Sequence, residues 1–162
     1  MTSKTINVGV GEYAVSLHPG DMIKTQGLGS CIGIVAISKT SSFAGLLHVQ
    51  LPESSINEEL AARKPGLFAD TGIPLFIDEF LKRGCRPQDI IIKLTGGAQI
   101  IDSVSSFNIG KRNYLAVKKC LLALKLWPVA EDIGDCLIRS VSVEVGKPEV
   151  TVLIPGSGSK KI

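Results

Sequence analysis

At 162 residues the chain is long enough to bury a core as one domain without disulfide or metal staples. Apolar residues make up 44% and charged residues 20%, which excludes wholesale disorder, and a dispersed formal charge of +3 leaves no footprint for nucleic acid. Four cysteines (Cys31, Cys85, Cys120, Cys136) without any CxxC spacing exclude a zinc knuckle and a thioredoxin motif. The first residues lead into no signal-peptide hydrophobic region, and no apolar run approaches about 18 residues, so a cytoplasmic protein with reduced thiols is expected.

The first segment, Ile6-Asn7-Val8-Gly9-Val10-Gly11, forms G-x-G-x-x-A with Ala14. A dinucleotide fingerprint needs a helix opening at the glycines and an acidic residue about 20 positions on. Pro19-Gly20 breaks the first requirement, and the stretch between Asp21 and Glu53 holds no acid to meet the second. Tyr13, Val15 and Leu17 instead alternate as a strand, and His18-Pro19-Gly20-Asp21 reads as a turn, making His18 a turn residue.

Next comes a glycine-punctuated segment, Thr25-Gln26-Gly27-Leu28-Gly29-Ser30-Cys31, which delivers a cysteine to a β-branched run over 32–37. After the polar linker 38–42, a second apolar run over 43–49 carries His48, one of two histidines in the chain. The two runs predict an antiparallel hairpin. Folded about residue 40, it sets Cys31 opposite Val49; a one-residue change of register sets it opposite His48. Buried cysteine is often only a small hydrophobe; the histidine at hairpin spacing turns Cys31 into a candidate nucleophile and His48 into its base. With Lys24 and Lys39 nearby in sequence and no acid, the surroundings are expected to favour a thiolate. Gly27 and Gly29 are expected to free backbone N–H groups for an oxyanion. No acid is available to orient the imidazole, so Thr25 is the candidate third member, its hydroxyl accepting the ring N–H that the thiol does not use, although an ordinary strand threonine fits that position as well. A papain-like reading fits poorly: Leu28 stands where that signature has an earlier cysteine, Ile32 where it has an aromatic, and His48 comes about a hundred residues too soon.

Beyond the hairpin, residues 53–65 are polar and expected as loop. A helix is predicted over 70–83, capped by Asp70 or Thr71, with Pro74 in its first turn and Leu75, Phe76, Phe80 and Leu81 as its buried stripe. Residues 89–94 predict a strand buried on both faces, closed by Gly96-Gly97; with no following Lys-Ser/Thr this is no phosphate loop. A second helix is predicted over 111–126, with Arg112 at its start as an exposed charge or a binding residue. Strands over 127–133, 141–145 and 150–154 follow, then a flexible tail over 156–162. About seven or eight strands and two main helices, not alternating, predict an α+β fold with mixed or antiparallel sheets in a layered sandwich.

Five segments in order carry a resemblance to a known family: Thr25-x-Gly27-Leu28-Gly29-Ser30-Cys31; Gly45-Leu46-Leu47-His48-Val49-x-Leu51-Pro52; Lys93-Leu94-Thr95-Gly96-Gly97-Ala98; Ile109-Gly110-Lys111-Arg112-Asn113; and Ala130-Glu131-Asp132-Ile133-Gly134. Together they resemble CheD, the chemoreceptor glutamine deamidase family of bacterial chemotaxis. Asp135 departs from the family, standing where a second glycine is usual. The resemblance implies one catalytic domain over 1–155, a fold like that of deamidating bacterial toxins, and a Cys–His–Thr site falling on Cys31, His48 and Thr25. It implies a cysteine hydrolase that converts receptor glutamines to glutamate through a thioester, with no metal or cofactor. Some receptor methylesterase activity and a regulatory complex with the phosphatase CheC are implied as well. The alternative is a non-catalytic module that binds CheC or chemoreceptors.

Overall fold

The computed structural model describes residues 2–100 and 108–162. Among these residues, ten strands form two five-stranded mixed sheets. In the first, β1 (Thr5–Asn7) runs parallel to β3 (Met22–Leu28), and β3, β8 (Arg139–Glu144), β9 (Val150–Ile154) and β10 (Gly158–Lys161) follow in antiparallel order. In the second, β2 (Tyr13–Ser16), β5 (Ala44–Val49), β4 (Ile32–Ser38) and β6 (Ile90–Gly96) are antiparallel, and β7 (Pro128–Ile133) joins parallel to β6.

The alternation of side chains along a strand divides the core in two. Val35, Ile37, Ala44 and Leu46 of the second sheet pack against Ile23, Leu28, Val141, Val143 and Val152 of the first. The opposite face of β4 and β5, with Ile32, Ile34, Leu47 and Val49, packs against α2 (Ala69–Leu81) and α3 (Ile109–Ala123). The result is a layered α+β arrangement of sheet, sheet and helices. Strands β4 and β5 are buried throughout because both of their faces are covered.

Several local expectations are corrected. Residues 53–65 contain a short helix, α1 (Glu58–Arg63), where Asn57 accepts from the Leu60 N–H at 3.0 Å and acidic residues fill the first turn. Helix α2 starts at Ala69, so Pro74 lies in its second turn, and Asp70 accepts from Ser54 instead of capping. Its buried stripe is Ile73, Phe76, Ile77 and Phe80; Leu75 and Leu81 point to solvent, since a stripe at positions i, i+3, i+4 and i+7 excludes them. The expected flexible tail is instead β10, paired with β9 from Gly158↔Ile154 to Lys161↔Thr151. Ile162 packs on the inter-sheet core and its carbonyl accepts from Lys93 Nζ at 2.7 Å, which holds the segment down.

Candidate active site

The hairpin of β4 and β5 closes through a four-residue loop, with the Ser38 N–H donating to the Phe43 carbonyl at 3.0 Å. Its axis therefore falls between residues 40 and 41, and the register is Ile32↔Val49 and Gly33↔His48. Neither expected register holds: Cys31 stands opposite neither Val49 nor His48. The difference from the His48 register is two residues, which preserves the face, because side chains alternate with period 2. Cys31, just before β4, packs on the inter-sheet core, and His48 reaches across that space to the first sheet. The ladder ends at Ile32↔Val49, one residue short of Cys31; continued by one pair it would set Cys31 diagonal to His48, a spacing of about 7–8 Å between α-carbons, and among the described residues no hydrogen bond joins the sulfur to the ring.

His48 is almost fully buried, at 1% exposure. Its Nδ1 lies 2.8 Å from the Thr25 hydroxyl, which extends from β3 of the opposite sheet. The same hydroxyl donates its one hydrogen to the Val8 carbonyl at 2.7 Å. Thr25 can then only accept from the ring, which places the imidazole proton on Nδ1. Nε2 is left as a bare acceptor, buried and without a hydrogen-bond partner among the described residues. Burial pushes the imidazole pKa down to about 4, so the ring is neutral at pH 7. A cleft of about 290 Å³ reaches His48 between Asn7, Val8, Gly9 and Val10 on one side and Lys24, Thr25 and Gln26 on the other. A larger depression of about 410 Å³ lies at the turn end of the hairpin, away from all three candidate residues.

Cys31 is half-buried and unbridged. Burial pushes its thiol pKa up, opposed in part by its own amide N–H. This corrects the expected thiolate-favouring surroundings: neighbouring lysines in sequence do not act on the sulfur, and solvent exclusion dominates. Gly29 is also not free to serve an oxyanion, since its N–H donates to the Gly27 carbonyl at 3.0 Å within the turn. Gly27 is needed there for its φ of 70°.

The backbone around the thiol is held by two distant segments. The Ala98 N–H donates to the Gly29 carbonyl and the Gly97 N–H to the Cys31 carbonyl, each at 2.8 Å. From α3, Asn113 Nδ2 donates to the Ser30 carbonyl at 2.9 Å and to the Gln50 carbonyl at 2.8 Å. Asn113 is fully buried, and among the described residues its Oδ1 has no partner, nor has Thr95 Oγ1, beside Gly33 on β6. Neither contact of Asn113 could be read from a local pattern, because its partners are 83 and 63 residues away. Arg112 is exposed on α3 and His18 lies in the exposed bend after β2. Among the described residues, no three His, Cys, Asp or Glu side chains gather as a metal site requires.

A family model described as CheD chemotactic sensory transduction matches residues 50–153. A protein of Syntrophotalea carbinolica named "Probable chemoreceptor glutamine deamidase CheD" is 45% identical over 157 residues, covering 96% of this chain and 97% of that protein. The chain belongs to the CheD family. A second CheD relative, from Anaeromyxobacter dehalogenans, is 41% identical across 91% of this chain and 92% of its own length. A third, from Desulforamulus reducens, is 39% identical across 97% and 95%. The family model begins at residue 50, beyond Thr25, Cys31 and His48, whereas the CheD relatives align over nearly the whole chain.

Proposed function

We propose that this chain hydrolyses glutamine side-chain carboxamides of chemoreceptors to glutamate, with Cys31 as nucleophile, His48 as general base and Thr25 holding the imidazole. The observation that carries the proposal is the state of the ring: Nδ1 is tied to Thr25, and Nε2 is a buried acceptor, without a partner among the described residues, on the face that Cys31 shares. The relatives' names supply the substrate class.

The shifted pKa values favour a neutral thiol and a neutral imidazole at rest. The sulfur proton moves to His48 Nε2 as the sulfur attacks the carboxamide carbon, so charge develops only during the reaction. The imidazolium then gives that proton to the leaving nitrogen, the C–N bond breaks, and ammonia departs from a thioester. Water, deprotonated by Nε2, attacks the thioester; the C–S bond breaks, glutamate is released and the thiol regains its proton. A glutamate methyl ester follows the same route with methanol as the leaving group, so receptor methylesterase activity belongs to the proposal. The cytoplasm, where receptor signalling helices lie, is the compartment this reading requires. A regulatory complex with CheC rests on the family resemblance alone.

Mass spectrometry of receptor cytoplasmic fragments after incubation tests the reading. Each converted glutamine gains about 1 Da with release of ammonia, and Cys31→Ala is expected to abolish the gain. Undiminished conversion by Cys31→Ala overturns the nucleophile assignment; no conversion by the unaltered chain leaves the binding module as the reading.

A further inference from the structure

All peptide bonds among the described residues are trans, and a trans peptide sets its C=O and N–H in opposite directions. That rule gives meaning to the three carbonyls at 29, 30 and 31, each of which is held by a donor. The Ser30 carbonyl is turned toward α3, where Asn113 Nδ2 holds it. The N–H of the same peptide plane belongs to Cys31; it points away from Asn113 and lies close enough to its own sulfur to act on the thiol. Among the described residues, neither the Ser30 nor the Cys31 N–H donates to any backbone or side-chain oxygen.

We infer that Asn113 is a positioning residue that aims the Cys31 N–H as the oxyanion donor, an inference resting on the proposed hydrolase reading. The side chain has only one workable orientation, because a flip would set its oxygen against two carbonyl oxygens. By bridging Ser30 and Gln50, the amide also ties the approach to β4 to the exit of β5, the two strands that carry Cys31 and His48. Among the described residues its buried Oδ1 has no partner, an unfavourable arrangement that a residue kept only for packing would not need. The peptide plane, fixed before substrate arrives, needs no reorganisation when negative charge forms on the attacked carbonyl oxygen.

Three measurements on the full chain test this. In Asn113→Ala, ammonia release from a receptor fragment should fall about 10²–10³-fold in kcat, with KM changed by less than about 3-fold. Alkylation of Cys31 by iodoacetamide, which passes through no oxyanion, should stay within about 3-fold of the unaltered chain at every pH. Parallel loss of both reactions would assign Asn113 a structural role and overturn the inference, as would unchanged kcat. Loss of conversion in Asn113→Ala bears on this inference alone, while persistence of conversion in Cys31→Ala bears on the nucleophile.

The third measurement needs no substitution. The unaltered chain is treated with the γ-semialdehyde of N-acetylglutamate amide, whose aldehyde carbon takes the Cys31 sulfur while the carbonyl π bond opens and the oxygen receives the thiol proton. The amide proton of Cys31 should shift downfield by nuclear magnetic resonance as the new oxygen accepts from it. An adduct formed with that resonance unmoved overturns the inference even if Asn113→Ala fails to fold.

Discussion

A single hydrogen atom decides the tautomer of His48. The Thr25 hydroxyl gives it to Val8, so the hydroxyl oxygen must accept from Nδ1 and the lone pair of Nε2 stays available. Thr25→Val removes that acceptor while keeping the shape, and kcat should fall about 10²-fold through loss of tautomer and aim. Steady-state ammonia release checks this, with circular dichroism to confirm the fold. The depressed pKa of His48 also makes stability depend on pH. The unfolded chain takes up the proton near pH 6.5 and the folded one only near 4, so the unfolded state binds more protons between these values. Stabilisation from the neutral ring is fully present above about pH 6.5 and is lost as the pH falls toward 4. At pH 5 the loss is about 2 kcal/mol relative to pH 7.5, and His48→Gln should lack it when urea midpoints are compared. The acid limb of kcat/KM should likewise lie near pH 4 instead of 6.5.

Strand β6 acts on the site through its end. Gly96 has a φ of 111°, and a Cβ there would collide with the Cys31 carbonyl, while the next N–H holds that same carbonyl at 2.8 Å. Gly84 also has a left-handed φ, of 86°, but a Cβ there meets nothing within 4 Å. Gly84→Ala should therefore cost backbone strain alone, about 1–2 kcal/mol, and Gly96→Ala distinctly more. Only the Gly96 variant should also slow conversion, because only it displaces Cys31; urea midpoints and ammonia release separate the two costs. Asp135 also has a left-handed φ, of 55°, a conformation that glycine would enter without strain. The hairpin and the long helices were legible in the sequence because periodicity and turn residues are local. The register was not, since it depends on which four residues close the loop. The buried stripe of α2 was half legible: Phe76 and Phe80 face the core as their type suggests, whereas Leu75 and Leu81 are placed outside by helix phase alone.

The two sheets together make an imidazole environment that neither makes alone. Sheet one supplies Thr25 and sheet two supplies His48, with an apolar core cluster filling the space between them. The edge strand β10 belongs to that assembly. It pairs with β9, and its Lys160 Nζ lies 2.9 Å from Asp132, which also accepts from the buried Arg139 at 3.0 Å. Deleting residues 156–162 should lower stability by about 2–3 kcal/mol through lost ladder bonds and the uncovered Ile162 contact, read as a lower urea midpoint. An unchanged midpoint would mean that the segment behaves as a loose tail after all.

From its sequence alone the chain could be read as α+β, with a cysteine and a histidine delivered by adjacent strands of one hairpin, because strand period and turn chemistry act over a few residues. Only the tertiary structure decided the rest. Burial set both pKa values against the thiolate expected from nearby lysines, the opposite sheet brought Thr25 to Nδ1, and a helix more than eighty residues away turned the peptide plane before Cys31. Solvent exclusion and cross-layer hydrogen bonds exist only once the layers have closed, so no local pattern along the chain can carry them.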